Sequence, residues 1–206
     1  MAGVLLEEVH LAFPAPSRDR VSVARQFRST WLTSSIRAIK ERGRYDEYLK
    51  HLPREHHDAV QNHIAGVWLP TEVAVAHYKA CDALGFTPQE EFEIGCKVNE
   101  YAQATIFGTF VKMAKGAGAT PWLALGKFNF LWERTWIGGG VAVYKTGPKE
   151  ARIEVAGWPC AGTRYIRNAM RGVIHGMLSL FCQKVYVSEI GRLCTEKTLG
   201  YRVAWA

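Results

Sequence analysis

The longest helical pattern in the last third of the chain covers residues 160–181. Apolar residues recur there every three or four positions, so they share one face of a helix. They are Ile166, Ala169, Met170, Val173, Met177, Leu180 and Phe181. The opposite face carries Arg164, Arg167, Asn168, Arg171 and His175. Because the apolar face must be buried, we expect this helix to pack against a neighbouring sheet.

Residues on both sides of this helix alternate between apolar and polar, which is typical of strands. Segments 141–146 and 151–157 flank Gly147-Pro148-Lys149-Glu150, a hairpin signal. Two further strands cover 183–190 and 201–205. The order ββαββ predicts a four-stranded antiparallel sheet covered by helices.

The first two thirds of the chain predict helices, so the fold class is α+β with an N-terminal helical half. Residues 1–21 form an extended arm that ends near two prolines, and residues 22–206 form a single ligand-binding-like domain. The predicted helices cover 23–42, with Ser22 as the N-cap, then 45–52, 54–64, 71–84, 87–115 and 120–136, and residues 67–70 form a turn.

Aromatic side chains are concentrated in the elements that should meet around the core. In helix 120–136, Trp122, Phe128, Trp132 and Trp136 fall near one face, and residues 101–113 are apolar nearly all round. Two interpretations stay open, core packing and an aromatic-walled cavity for a small molecule. The candidate ligand-binding residues are Tyr101, Phe107, Phe110, Trp122, Trp132, Trp136 and Trp158.

The formal charge of the chain is +7, and most of the excess lies in residues 140–206. There, Arg164, Arg167 and Arg171 form a candidate partner face for an acidic protein or a second copy, or a solvated basic face. No continuous Lys/Arg run exists, so nucleic acid is not favoured as a partner. No stretch of 18 apolar residues exists, and Glu7 and Glu8 interrupt the start. We therefore expect a cytoplasmic protein without a membrane span.

Catalytic and metal-binding signatures are missing from the sequence. The five cysteines include no CxxC pair, and His77 and Cys81, four apart on a helix, are too few to hold a metal. Cys160, before a helix, is the best reactive residue because a thiol at a helix N-terminus can have a lowered pKa. We expect no metal site and do not favour an enzyme.

The C-terminal order of residues resembles the 4-vinyl reductase-like and heme–nitric-oxide-binding-like superfamily, most closely its small stand-alone myxobacterial members. The residues that carry the resemblance are Trp132, Gly138-Gly139, Gly157-Trp158-Pro159, Arg171-Gly172, Gly176, Val185-Tyr186-Val187, Cys194, Tyr201-Arg202-Val203 and Trp205. The resemblance implies an α+β ligand-binding or sensory fold, often dimeric, with a pocket between the helical half and the sheet. Some relatives bind small aromatic effectors, some bind heme, and trafficking relatives bind an acyl chain or act as scaffolds.

Two departures from this family pattern determine the cofactor prediction. Relatives with structural zinc carry a second cysteine about eight residues after the one resembling Cys194, and residues 195–201 have none. The heme-binding branch uses a proximal histidine and a Tyr-x-Ser-x-Arg motif, whereas Tyr186-Val187-Ser188-Glu189-Ile190 lacks the arginine. His175 lies on the polar helix face. We therefore expect no cofactor, with heme and zinc as the alternatives.

These observations favour a non-catalytic sensory domain, a homodimer, that binds a small apolar or aromatic molecule in signalling or regulation. A second hypothesis is a dimerising protein-interaction module whose core is filled by side chains. A third is an enzyme or redox switch that uses Cys160.

Overall fold

The computed structural model describes residues 9–10, 21–102 and 120–206 and confirms the predicted α+β class. In chain order its elements are β1 Val9–His10, β2 Gln26–Arg28, α1 Ser29–Glu41, α2 Tyr45–His51, α3 His57–Gln61, β3 Trp68–Pro70, α4 Thr71–Ala83, α5 Pro88–Ala102, α6 Pro121–Leu125, α7 Phe128–Thr135, β4 Trp136–Ile137, β5 Gly140–Gly147, β6 Glu150–Ala156, α8 Arg164–Leu178, β7 Val185–Glu189 and β8 Leu199–Trp205. Short 3₁₀ turns cover Arg54–His56 and Gly191–Leu193. No described helix is long and apolar enough to cross a membrane.

The main sheet contains the four predicted strands and one more. Its order is β1-β5-β6-β8-β7, and every neighbouring pair is antiparallel. The extra strand comes from the predicted N-terminal arm, where Val9 and His10 pair with Lys145 and Tyr144 of β5. The inward side chains of the central strands are fully buried, as Ile153 and Val203 illustrate.

A second, three-stranded sheet replaces part of what the sequence predicted as helix and turn. Its order is β3-β2-β4. The helix predicted from residue 23 begins only at Ser29, because residues 26–28 pair with strands on both sides. Ser22 is therefore no N-cap. Its carbonyl instead accepts the backbone N–H of Gly139 (2.7 Å), which ties this region to the start of the main sheet.

Helix 120–136 was predicted as one element, and the structure divides it in two. α6 ends at Leu125 with Gly126 as its C-cap, and α7 starts at Phe128 after Lys127. Trp136 no longer belongs to the helix, because it pairs with Phe27 as the first residue of β4. The turn at Gly126 redirects the chain so that the tryptophans of α7 and β4 point to the same interior.

α8 is shorter than the predicted helix and packs more closely on α5 than on the sheet. Thr163 is its N-cap, and the Thr163 hydroxyl accepts the backbone N–H of Ile166 (3.4 Å). At Gly95 of α5 and Gly172 of α8 a Cβ atom would collide with the backbone of the other helix. Glycine at these positions lets the two helices approach closely, which sequence periodicity alone does not reveal.

Candidate functional site

A mainly apolar cavity of about 90 Å³ lies between the helical half and the main sheet, and we call it the tryptophan cavity. Every layer of the fold contributes to its wall, and most of the wall residues are large and apolar. The described wall residues are Trp31, Tyr78, Asn99, Phe128, Leu131, Trp132, Thr135, Trp136, Val141, Ile153, Val155, Trp158, Met170, Val173, Ile174 and Met177.

Three tryptophans form the most rigid part of this wall. Trp132 and Trp136 are stacked with ring centroids 5.7 Å apart and planes inclined by 22°. Trp158 meets both of them edge-on, at 5.7 Å from Trp132 and 5.4 Å from Trp136. Offset-stacked and edge-to-face contacts are the favoured arrangements of aromatic rings. The three indoles therefore form a preorganised corner.

One face of α8 closes the opposite side of the cavity. Met170, Val173, Ile174 and Met177 follow the spacing i, i+3, i+4, i+7 and so project in one direction. The methionine side chains are flexible and adapt to irregular volumes. The cavity therefore has one stiff aromatic wall and one adaptable wall.

Polar groups in the wall divide into paired and unpaired ones. The indole N–H of Trp132 donates to the carbonyl of Gly138 (3.0 Å), and the Thr135 hydroxyl donates to the carbonyl of Trp132 (2.9 Å). Three buried donors have no partner among the described residues, namely Nε1 of Trp31, Nε1 of Trp158 and Nδ2 of Asn99. An unpaired buried donor costs about 1–3 kcal/mol of folding free energy.

The structure brings three of the seven predicted ligand-binding residues to this cavity. Trp132, Trp136 and Trp158 lie in its wall, whereas Trp122 and Tyr101 do not. Trp122 packs edge-on against Trp205, the last residue of β8 (4.6 Å between ring centroids), and its indole N–H donates to the carbonyl of Pro148. The break after α6 turns Trp122 away from the face it was expected to share.

Tyr101 lies away from the described cavity wall, on the α1 side of α5, and its role as a ligand-binding residue stays a prediction. Its hydroxyl donates to the carboxylate of Glu41, and the Arg37 guanidinium lies 4.0 Å from its ring centre. The predicted residues Phe107 and Phe110 fall outside the described residues.

The arginines that were expected on a partner face take part in contacts within the chain. Arg164 pairs with the buried carboxylate of Glu91 (Nη2 to Oε1, 2.9 Å). Arg171 donates to the carbonyl of Val187 (3.3 Å). Arg167 donates to the carbonyl of Ala161 (3.1 Å). The basic face of α8 therefore lies along α5 and β7. Glu91 of α5 pairs with Arg164, and the Val187 carbonyl of β7 accepts from Arg171. That these three arginines also form a face for a binding partner remains a prediction.

A second buried group of polar side chains lies between α1, α2, α4 and α8, and we call it the histidine cluster. Its members are Ser35, Tyr48, His77, Cys81 and Tyr165. His77 contacts Tyr48 through Nδ1 (2.8 Å) and Ser35 through Nε2 (2.9 Å), so both ring nitrogens are occupied. Burial lowers the pKa of His77 to about 3 and raises that of Cys81. A neutral, fully bonded imidazole next to a protonated thiol has the properties of a structural group.

Cys160, the predicted reactive thiol, is buried and lacks the environment that would activate it. Only 1% of it is exposed, and burial raises its pKa far above the usual value. The helix begins only at Arg164, with Thr163 as its N-cap, so Cys160 lies three residues before the N-cap. Among the described residues no group of three His, Cys, Asp or Glu side chains is placed to hold a metal ion.

No protein-family model matches the chain, and no curated protein matches it by sequence. Solved H-NOX structures match its fold. An unliganded Fe(II) H-NOX protein from K. algicida has a TM-score of 0.61 at 5% identity, covering 87% of this chain and 96% of that one. An H-NOX mutant from T. tengcongensis has a TM-score of 0.59 at 13% identity, covering 86% of this chain and 97% of that one.

A third match, an oxygen-binding H-NOX domain related to soluble guanylate cyclases, has a TM-score of 0.59 at 13% identity and covers 86% of this chain and 94% of that one. The H-NOX part of the predicted resemblance is therefore confirmed at the level of the fold. The prediction that the protein uses no cofactor is contradicted by further fold matches, one of which concerns heme redox potential and porphyrin distortion and another heme distortion in the H-NOX family.

The described residues around the tryptophan cavity do not fit heme. Heme iron is held in proteins by histidine, cysteinate, methionine or tyrosinate. No histidine or cysteine occurs in the described wall, and the sequence of residues 103–119 contains neither. The wall tyrosine is Tyr78, and burial raises its pKa well above the usual value, against the phenolate form.

The other wall residues and the cavity size agree with this result. Met170 and Met177 offer thioethers, which in cytochromes hold iron together with a histidine. The volume of about 90 Å³ is below the range of about 300–1,000 Å³ typical of pockets for larger ligands. Tyr186, in the segment compared with the heme-branch motif, is exposed on the edge strand β7. We derive no step through heme for this chain.

Sequence reasoning missed most of the cavity wall. Met170, Val173 and Met177 were assigned to the apolar face of a helix, and Ile153 and Val155 to alternating positions of a strand. These patterns show that a side chain points inward, and they do not show whether the space in front of it is filled. Asn99 had no signal at all, because a lone asparagine in a helix is normally exposed.

Proposed function

We propose that this protein is a non-catalytic sensory domain that takes a small, mainly apolar molecule into the tryptophan cavity. The observation that carries the proposal is the cavity itself, at the junction of the helical half and the sheet and bounded by Trp132, Trp136 and Trp158. Native cores rarely leave such space unfilled, because each lost contact weakens the fold. The sensory role is supported by the H-NOX fold, whose solved members include an oxygen-binding domain.

The composition of the wall supports binding without catalysis. Its described residues include no Asp, Glu, His, Lys or Cys, which are the usual acids, bases and nucleophiles. Among the described wall residues the one aliphatic hydroxyl is that of Thr135, and it already donates to backbone carbonyls. A molecule in the cavity meets mainly aromatic faces and aliphatic groups.

α8 is the element through which binding is sensed in this proposal. One of its faces lines the cavity, and its glycine face is locked against α5. A molecule that pushes on the stiff, β-branched side chains of Val173 or Ile174 therefore moves a helix pair and not a single side chain. A packed interface of this kind shifts as a unit.

Further expectations from the sequence belong to the same proposal. They are a role in signalling, a cytoplasmic location, homodimer formation, and relatedness to the 4-vinyl reductase-like branch. Sedimentation of the purified protein over a range of concentrations tests the dimer. Charge reversal at Arg164, Arg167 and Arg171 tests whether the basic face of α8 also contributes to self-association.

Xenon and 2-methylbut-1-ene are suitable apolar probes for the cavity. We expect both to raise the melting temperature and to change the fluorescence of the cavity tryptophans, because a molecule that binds only the folded state stabilises it. Val173→Phe, which puts a ring into the cavity, abolishes both responses, and Tyr186→Phe on the exposed edge strand preserves them.

No response of the unaltered protein to any apolar probe would refute the proposal. Equal responses of Val173→Phe and the unaltered protein would show that the probes bind elsewhere. A parallel titration with hemin, followed by its Soret absorption, measures whether the chain takes up the cofactor of its fold neighbours.

A further inference from the structure

A second, smaller cavity of about 30 Å³ adjoins the tryptophan cavity, and we call it the side cavity. Its wall is mainly apolar and comes from α1, α4, α5 and the first half of α8. Four described residues line both cavities, namely Trp31, Tyr78, Met170 and Val173. These four side chains therefore form the partition between the two spaces.

The two cavities follow one another along α8. Ile166 lines only the side cavity, whereas Ile174 and Met177 line only the tryptophan cavity. Met170 and Val173 lie between them in the helix and line both. At a rise of 1.5 Å per residue, the stretch from residue 166 to residue 177 is about 16 Å long. The two spaces are therefore arranged end to end, and the partition crosses the middle of this line.

The members of the partition differ in how easily they can make room. Tyr78 is 6% exposed, and its ring packs against His77 with ring centroids 4.9 Å apart. Val173 is β-branched, and such a side chain has one strongly preferred rotamer in a helix. Trp31 carries a large rigid indole, whereas Met170 is unbranched and flexible. Of these four side chains, that of Met170 therefore decides whether the two cavities are joined.

We infer that Met170 determines the length of the molecule that the tryptophan cavity accepts. The inference rests on the proposed function and adds a residue that sets ligand specificity. An engineered cavity of about 150 Å³ takes up benzene, so the volume of about 90 Å³ admits roughly four or five non-hydrogen atoms. A longer molecule needs the side cavity, and the Met170 side chain separates it from that space. The ligand class is therefore a short apolar molecule, and shortening Met170 extends it to longer unbranched ones.

Unbranched alkan-1-ols from propan-1-ol to octan-1-ol measure this length limit. All of them carry the same hydroxyl, so differences in affinity report on the chain alone. Each methylene that finds space should tighten binding by about three- to fourfold. In the unaltered protein the gain should stop near butan-1-ol or pentan-1-ol, whereas in Met170→Ala it should continue to hexan-1-ol and beyond. Binding is followed by tryptophan fluorescence and by ligand-observed NMR.

Met177→Ala is the matched control, because it removes the same atoms from a residue that lines only the tryptophan cavity. The two variants are distinguished by Val98→Phe, which puts a ring into the side cavity, where Val98 is 6% exposed. This second change should return the limit of Met170→Ala towards that of the unaltered protein and should leave that of Met177→Ala unchanged. Thermal unfolding identifies a variant that fails to fold, and Met170→Val and Val98→Leu are the milder replacements.

The possible results separate the inference from the proposed function. If the short alcohols bind and the length limit is the same in Met170→Ala as in the unaltered protein, the role of Met170 is refuted and the apolar site stands. If Val98→Phe shortens the limit of both alanine variants alike, or of neither, the side cavity is not the space that Met170 closes, and the inference is likewise refuted. If neither the alcohols nor xenon bind, the proposed function itself fails.

Discussion

The tryptophan cavity and the histidine cluster are both buried, and they differ in how their polar groups are satisfied. In the histidine cluster both ring nitrogens of His77 have partners within 3.0 Å. In the tryptophan cavity the donors of Trp158 and Asn99 have none among the described residues. The polar groups of the histidine cluster bond to one another, whereas the tryptophan cavity keeps open volume and has unpaired donors in its wall residues.

This difference decides which of the two regions we propose as the ligand site. Histidine next to serine, tyrosine and cysteine has the composition of a catalytic or metal site, yet its bonds are closed and its pKa values favour the neutral forms. A wall of tryptophan, valine and methionine has the composition of an ordinary core, yet it leaves volume and donors unused. Residue type alone would have favoured the histidine cluster, whereas only the tryptophan cavity combines a mainly apolar wall with open volume.

The largest expected difference between the regions comes from Trp158→Ala. Removing a buried tryptophan should lower the free energy of unfolding by about 3–5 kcal/mol, because it enlarges an existing cavity. Denaturant unfolding measures the loss. Added indole should restore part of it by filling the enlarged space, and Trp122→Ala, outside the wall, should show no such rescue. A loss below about 1 kcal/mol would contradict the packing described here.

The histidine cluster should respond to acid. The folded protein keeps His77 neutral down to a pKa of about 3, whereas an unfolded chain protonates histidine near pH 6.5. Between these values the unfolded state binds more protons, so stability is lost as the pH falls, by about 1.4 kcal/mol per pH unit. Unfolding free energies measured from pH 7 to pH 4.5 should show this slope, and His77→Gln should reduce it. An unchanged slope in His77→Gln would exclude His77 as its source.

A smaller effect is expected when one bond of the histidine cluster is removed. Tyr48→Phe leaves Nδ1 of His77 without its partner at 2.8 Å and should cost about 1–3 kcal/mol, since a buried polar group is then unpaired. Tyr186→Phe, on an exposed side chain, should stay within about 0.5 kcal/mol of the unaltered protein. Xenon should not rescue Tyr48→Phe, because an apolar atom cannot replace the hydrogen bond that His77 loses.

Local pattern accounts for most of the fold and only part of the site. The hairpin around Gly147-Pro148 and the helix after Thr87-Pro88 were predictable because turn and capping residues act over a few positions. The strand at residues 26–28 was not, since its partners β3 and β4 come from distant parts of the chain. Pairing over such distances overrides local helix propensity.

The sequence by itself determined the α+β order, the strand pairs around α8 and the concentration of aromatic residues near Trp132 and Trp136. Only the tertiary structure decided that Trp122 and Tyr101 lie away from the described cavity wall, that the α8 arginines find acceptors within the chain, and that Asn99 enters the cavity wall. The physical reason is that periodicity specifies which face of an element is buried. Whether that face meets a neighbour, an acceptor or empty space depends on how the elements are packed together.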